Sequence, residues 1–475
     1  MANSTPHSHQ CPNCERLEKL VEQLQAQVTE QALRIPELER KLAAATKDST
    51  NSSKPPSSDI VKPGKRRRLT GKTKRGGQKG HKRNLRQALP ADELDWLTQY
   101  SYEVCPDCGG PVQVDTQDPA SVLQQIEVVA KPIEATEHQS LRCYCAACQK
   151  THACPIPPEV RKAGLCGPEL TSIIGFLKGA CHASFSTIRK YLRDVYGLQL
   201  SRGMLQKIIN KVSEAIAPIY ESLFDNLKAE RVLNVDETGH RDRGQKMWTW
   251  CFRSNGFTVF RIDPRRSSGV LLDVLGEEFD GVIGCDYFSA YHKYRGLTDC
   301  AVQFCFAHLI RDLRFLKEHS SGRTHGWAGR LLDAIRDMFR VIHDREKLGE
   351  RFDGELEDAA MMVLMRATYR VPNDPKACNL ARRFEEHGDD YLRFLTTPGL
   401  EPTNNIAERA IRFVVIDRRV TQGSKSEQGQ RWLERIWTLM ATCEQRGLSL
   451  FDCLRQAVKQ HLAGEPPPSL FAGDS

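Results

Sequence analysis

Three carboxylates stand out by what surrounds them. Asp236 closes the run R-V-L-N-V, whose apolar and β-branched residues read as a buried strand. Asp286 closes a second run of this kind, G-V-I-G-C, and Glu408 lies in P-T-N-N-I-A-E-R-A-I-R, which reads as a helix start. Acids at two strand ends and on one helix supply the hard oxygen ligands for a pair of divalent ions in phosphoryl transfer. Asp236 is expected to bridge both ions, Asp286 to ligate one, and Glu408 to reach in from its helix. Strand alternation sends the neighbouring Glu237 to the opposite face. Asp417, on the helical side near Glu408, is a weaker substitute. Any long chain holds many acid triples, so the placement gives this one its weight.

The elements that must position these acids predict a mixed sheet. Strand patterns occur at residues 232–235, 247–253, 258–262, 282–285 and 302–306, with helical patterns starting near Ser267, Phe288 and Ala307. Three strands, a helix, a strand, a helix, a strand and a helix make an RNase H-like core over 229–430. The stretch 319–400 lacks strand signals and reads as an all-helical insertion, and 431–475 is again helical. Thr403 is placed to cap the helix of Glu408, with Asn404 and Asn405 near its first turn. Arg409, Arg412, Arg418, Arg419 and Lys425 form a basic cluster beside the acids, suited to DNA phosphates or simply an exposed helix face. His308, in C-F-A-H-L-I-R-D-L, contacts DNA, orients a carboxylate or is a buried structural histidine.

Upstream, the chain changes character several times. A heptad runs from Leu17 to Leu42, with Val21, Val28, Ile35 and Leu42 on one seam and Leu17, Leu24, Gln31 and Leu38 on the other. Over 15–45 this predicts a parallel two-stranded coiled coil joining two copies, or an amphipathic helix packed on its own chain. Pro36 predicts a kink within it. The Ser/Pro-rich linker and basic arm of 46–90 follow. Between Lys62 and Arg86 the arm has twelve Lys and Arg and no acid. The chain's net charge of +8 therefore resides there, and the remainder is net acidic. Lys65, Arg66, Arg67, Arg68, Lys79, Lys82 and Arg83, without aromatics, suit phosphate contact more than base reading; a solvated charge run is the alternative.

Seventeen cysteines include the C-x-x-C pairs Cys11/Cys14, Cys105/Cys108 and Cys145/Cys148. No apolar run approaches the roughly 20 residues of a membrane span, and no leader is apparent. A reducing, cytoplasmic setting then favours metal ligation or core packing over disulfides. Cys105, Cys108, Cys145 and Cys148 fit a structural Zn²⁺ ribbon over 100–155, with strands near 124–129 and Cys143 and Cys154 as nearby spares. Residues 165–228 carry three helical patterns. Gly197 closes one and Ser201 starts the next, an arrangement like a helix-turn-helix or a plain helical connector. The helix after Ser201 would present Arg202, Gln206, Lys207 and Asn210.

Taken in order, the heptad, N-S-S-K-P-P-S-S-D, G-G-Q-K-G-H-K-R, the paired C-x-x-C module, N-V-D-E-T, G-V-I-G-C-D-Y-F-S-A-Y, C-F-A-H-L-I-R-D-L and N-N-I-A-E-R-A-I-R resemble the insertion-sequence-66 family of bacterial transposases, almost end to end. The resemblance implies a multidomain α/β protein with a DDE catalytic core. Asp236, Asp286 and Glu408 would be its acids and Cys105, Cys108, Cys145 and Cys148 its zinc ligands. It implies Mg²⁺ or Mn²⁺ at the acids. The partners implied are DNA, both terminal inverted repeats and target, and small accessory proteins of the same element. Two rivals share much of this sequence logic: a zinc-dependent DNA-binding protein with an inactive core, and a structure-selective nuclease of the same fold.

Overall fold

The computed structural model describes residues 12–45, 89–95, 97–99, 106–111, 132–145, 150–153 and 155–470. The seven basic residues singled out in the 46–90 arm lie outside them, as do Cys105, Cys148 and the strands expected near 124–129. Helix α1 (Pro12–Ala45) carries the heptad and continues through Pro36. A proline inside a helix removes one backbone donor, and here the turns on either side persist. Leu20, Val21, Leu24, Val28, Ile35 and Leu38 are 50–64% exposed, so no described segment of the chain covers this seam. Strands β1 (Arg142–Cys145) and β2 (Lys150–Ala153) pair antiparallel, with Cys145 opposite Lys150. Cys108 is exposed in a turn.

A helical layer follows: α2 (Pro158–Ala163), α3 (Pro168–Gly179), α4 (Phe185–Tyr196), α5 (Arg202–Ala215) and α6 (Ala217–Asn226). Its punctuation is the one read from sequence. Ser184 Oγ caps α4 by accepting from Thr187 N, Gly197 ends it in the left-handed region, and Ser201 Oγ caps α5 by accepting from Met204 N. Arg202, Gln206 and Lys207 are exposed on α5, and Asn210 is half-buried.

The sheet comprises β3 (Val232–Asp242), β4 (Gln245–Arg253), β5 (Thr258–Asp263), β6 (Val282–Cys285) and β7 (Ala301–Phe304), in the order β5-β4-β3-β6-β7. The first three strands form an antiparallel meander, and β3, β6 and β7 run parallel. Crossover helices α7 (Ser268–Leu275) and α8 (Ser289–Arg295) flank β6, and α9 (Phe306–Glu318) follows β7. This is the expected succession, with two boundary corrections. β3 does not stop at Asp236 but runs on to Asp242, because E-T-G-H-R-D pairs residue for residue with β4. Its two-residue turn, Arg243-Gly244, has both φ values positive, as a twisted hairpin requires. The fifth strand ends at Phe304, and Phe306 already belongs to α9.

The helices α10 (Gly322–His343), α11 (Arg345–Leu348), α12 (Phe352–Thr368) and α13 (Pro375–Leu392) form the expected insertion. Then come α14 (Asn405–Thr421), which carries Glu408, α15 (Glu427–Arg446) and α16 (Leu450–Ala463). None of the described helices is long and apolar enough to cross a membrane.

Both sheet edges are covered. On β5, the N–H groups of Thr258, Phe260 and Ile262 donate to Thr442 Oγ1 (3.2 Å), Thr438 Oγ1 (2.9 Å) and Glu434 Oε1 (2.8 Å), one helical turn apart on α15. On β7, Arg393 Nε donates to Val302 O, and Gln303 bridges Tyr391 O and Phe394 N at the end of α13. The insertion and the C-terminal helices thus satisfy strand edges that would otherwise invite other chains. Replacing Thr438, which is 1% exposed, by valine keeps its shape but leaves Phe260 N–H without its acceptor. Thr438→Val should cost about 1–3 kcal/mol in chemical denaturation. A midpoint equal to the parent's would show that this ladder carries no stability.

Candidate active site

Parallel pairing places the first two acids. Val232, Leu233 and Asn234 face Val282, Ile283 and Gly284, and continuing that offset brings Asp236 beside Asp286. β6 ends at Cys285, so Asp286 sits where the chain leaves the sheet, while β3 continues along its pairing with β4. Alternation then separates the carboxylates. Asn234, Asp236 and Thr238 share the face that α14 crosses, and Leu233, Val235 and Glu237 share the other. Glu237 is buried and fully engaged: Arg266 donates to its Oε1 from Nε and Nη2 (2.8 and 2.6 Å), and Tyr291 Oη donates to its Oε2 (2.7 Å). Arg266 is itself held against the Trp248 and Phe288 rings.

Asn404 brings the third acid over the same face. It occupies the N-cap position of α14, where its side chain makes no capping bond, so Thr403 does not serve as the expected cap. Asn404 Nδ2 instead donates to Val235 O (2.8 Å), its Oδ1 accepts from Asn234 Nδ2 (2.9 Å), and its backbone N–H donates to Cys305 Sγ (3.1 Å). One buried residue therefore ties α14 to the strand of Asp236 and to the start of α9. Gly284 is part of this lock, since a Cβ there would meet Asn234 Nδ2 at 2.6 Å. Glu408 follows in the first turn of α14.

The carboxylates feel one another. Asp236 keeps a solvent-facing edge, yet burial raises its pKa well above the usual range, and Glu237, Asp286 and Glu408 push it further the same way. Asp286 is pushed up to about 8, first by burial and then by Glu237, with Glu408 and Asp312 adding to it against Arg266. Its Oδ1 is buried and has no hydrogen-bond partner among the described residues. Acids crowded so that each resists ionisation, with a lone pair left over, fit a divalent cation as the missing counter-charge.

Glu408 is held differently. Arg311 Nη2 donates to both its oxygens (2.7 and 3.0 Å), and His308 Nε2 lies 3.6 Å from Oε1. Burial, then the Arg311 charge, lowers the His308 pKa to about 4, so the imidazole is neutral and supports the carboxylate. Among the described residues, the Cys305, His308 and Glu408 ligand atoms lie within 4.8 Å of one another, a grouping that omits both aspartates. Burial raises the Cys305 pKa to about 11, and Arg311 already neutralises Glu408, so that cluster is organised by hydrogen bonds. Of the readings left open for His308, the geometry favours orienting a carboxylate.

Other expectations resolve as follows. Asp417 is buried and structural, accepting from His182 Nδ1 (2.8 Å) and Trp437 Nε1 (3.0 Å). Arg409, Arg412 and Arg419 are exposed along α14, whereas Arg418 is half-buried with Nη1 near Thr238 Oγ1 (3.4 Å). Sequence reading missed Arg311, although the H-L-I-R spacing places it one turn from His308 on the same helix face. It also missed Arg383 of the insertion, which pairs with Asp312 (3.2 Å) and lies over the Tyr287 ring, next to Asp286.

The raised Asp286 pKa gives a signed expectation for metal-free protein. The folded state binds a proton more tightly than the unfolded chain, so this contribution to stability is complete below pH 4 and lost as pH rises towards 8. In chelator, Asp286→Asn should melt higher than the parent at pH 9, by on the order of 2 °C, and the gap should shrink by pH 6. A gap independent of pH would refute carboxylate crowding as its cause.

The Transposase IS66 family matches residues 163–431, and a family of unknown function (DUF6444) matches residues 3–87. Uncharacterized protein y4qI of Sinorhizobium fredii is 24% identical over 312 residues, covering 59% of this chain and 57% of that protein. Uncharacterized protein y4jD of the same organism is 21% identical over 350 residues, covering 67% and 68%. The chain thus spans little more than half the length of the first of these relatives. With more than half of its residues inside the matched region, which includes all three acids and the whole sheet, the chain belongs to the Transposase IS66 family.

Proposed function

We propose that the chain is a DDE transposase with an RNase H-like core, which cuts the 3′ ends of a mobile element and joins them to target DNA. Family membership implies a transposase role and a divalent metal. What supports the reading most is that Asp236 lies two residues beyond, and Asp286 just past the end of, a parallel β3–β6 pairing, with Asp286 Oδ1 buried and without a hydrogen-bond partner among the described residues. Asp236, Asp286 and Glu408 would hold Mg²⁺ or Mn²⁺. Such a metal pair, when bound, activates the attacking oxygen and stabilises the leaving one.

The chain's own residues do the positioning. Asn404 fixes the start of α14, while Arg311 and neutral His308 fix the carboxylate of Glu408. Arg266 and Tyr291 keep Glu237 occupied on the far face, leaving the near-face acids for the reaction. Arg409, Arg412, Arg418 and Arg419 offer cations beside these acids to DNA phosphates, which transfer of this kind needs for charge neutralisation.

The upstream modules are the delivery system in this proposal. Lys65, Arg66, Arg67, Arg68, Lys79, Lys82 and Arg83 contact DNA backbone, and Cys105, Cys108, Cys145 and Cys148 hold a structural Zn²⁺. The antiparallel pairing of β1 and β2, with Cys145 as the last residue of β1, supports that zinc reading. The exposed heptad of α1 supports pairing of two copies through a coiled coil. The protein acts in the cytoplasm on terminal inverted repeats and target, together with small accessory proteins of the element.

The test is strand cleavage and transfer on DNA carrying the element's ends, with Mg²⁺ and any accessory proteins. Asp236→Asn, Asp286→Asn and Glu408→Gln should each lower cutting by about 10²-fold or more. If Asp286→Asn and Glu408→Gln cut as well as the parent, the triad is wrong. Efficient cutting of branched DNA lacking the ends would favour the structure-selective nuclease instead.

A further inference from the structure

β6 leaves β3 after Asn234, and Ser424 rejoins the same edge at Asp242 by a parallel bridge. Gly423 makes that return possible: its φ is +88°, and a Cβ there would lie 2.1 Å from Arg241 O. Beside this stretch lies an open groove of about 460 Å³, whose walls include Arg241, Lys246, Trp248, Arg418 and Gln422. It starts at Gly239, three residues beyond Asp236 on the same strand.

The groove's cations are not neutralised by the protein. Arg241 Nη1 donates to Gly244 O (3.2 Å), the Lys246 ammonium lies 5.0 Å from the Trp248 ring centroid, and Arg418 approaches only the Thr238 hydroxyl. Among the described residues, no carboxylate pairs with any of the three. The nearby acids are engaged elsewhere: Asp242 is buried and taken by Ser424 and Arg243, and Glu237 by Arg266 and Tyr291. A half-buried guanidinium such as Arg418 is costly without a counter-charge, and a groove with three cations and one aromatic wall calls for an extended anion.

We propose that this groove seats the sugar–phosphate backbone of a DNA strand as it leaves the carboxylates. Arg241, Lys246 and Arg418 grip phosphates, and Trp248 forms an apolar wall for a sugar. Arg241 lies about 16 Å along the strand from Asp236, and with Lys246 and Trp248 it falls on the face of Glu237, while Arg418 reaches the groove from α14; the DNA strand would therefore pass from the acids around the edge of β3 that β6 leaves after Asn234. Phosphate contacts of this kind carry no base information, so the groove accepts element end and target alike. The inference rests on the DNA-transfer reading above and adds to it a surface on the β3–β4 hairpin.

The test uses the full chain and a fluorescent random-sequence duplex, with affinity measured across a salt series. The double variant Arg241→Ala/Lys246→Ala should lower the log–log salt slope by about 1.8. Arg455→Ala, on α16 and paired with Asp452, should leave it unchanged. In a second arm, Lys246→p-benzoylphenylalanine should photo-cross-link to end-bearing DNA within roughly half a turn of the reacting phosphate. A parent that binds and cuts DNA, with an unchanged slope in the double variant and no cross-link, overturns the groove alone. A parent that neither binds nor cuts overturns the transposase reading and the groove with it. Should the double variant fail to fold by circular dichroism, the cross-link decides, its presence supporting the groove and its absence overturning it.

Discussion

Asp236 lies on β3, and Asp286 lies just past the end of β6, the parallel strand paired with β3 up to Asn234. Burial, and then the repulsion of neighbouring carboxylates with Glu237 first, hold the proton of Asp286 up to about pH 8. Much of the surrounding architecture follows from keeping that repulsion in place. Glu237, the next residue, is drawn to the opposite face and neutralised by Arg266. Glu408 is neutralised separately by Arg311. Asp236 and Asp286 are left without a direct ion pair among the described residues, open to an entering cation.

That arrangement needs a rigid frame, because a shift of either strand would relieve the repulsion. The frame is built from side chains that reach backbone groups across long stretches of sequence. Asn404 spans β3 and the start of α9, Gln303 spans β7 and the end of the insertion, and Glu434, Thr438 and Thr442 line the edge of β5. The helical stretch after α9 is consequently fastened to the edge of the sheet, and through Arg383 and Tyr287 it touches the loop that carries Asp286.

How much of this was legible in the sequence depends on the physical range of each interaction. The acids and their strands were readable because an apolar run broken by a carboxylate is a local signal, and the Ser201 cap and Gly197 terminator were readable for the same reason. The outer half of β3 was not: E-T-G-H-R-D has no apolar alternation, and it is a strand because β4 pairs with it and Ser424 bridges its far end. Asn404 looked like one polar residue near a helix start, and only tertiary structure shows that its side chain serves the sheet. Arg311 was visible as a residue but not as Glu408's partner, since many residues separate them. The seven cations of the arm, and two of the four cysteines, lie outside the described residues, so their roles remain those proposed from sequence.

The ladder from α15 to β5 also bears on what counts as the unit of inheritance. The family match ends at residue 431, inside α15 and before all three of the side chains that satisfy β5. The portion that relatives share most recognisably is therefore smaller than the portion that must fold together. A chain stopped at the match's border would keep Asp236, Asp286 and Glu408 and yet present a bare strand edge to its neighbours, a template for self-association.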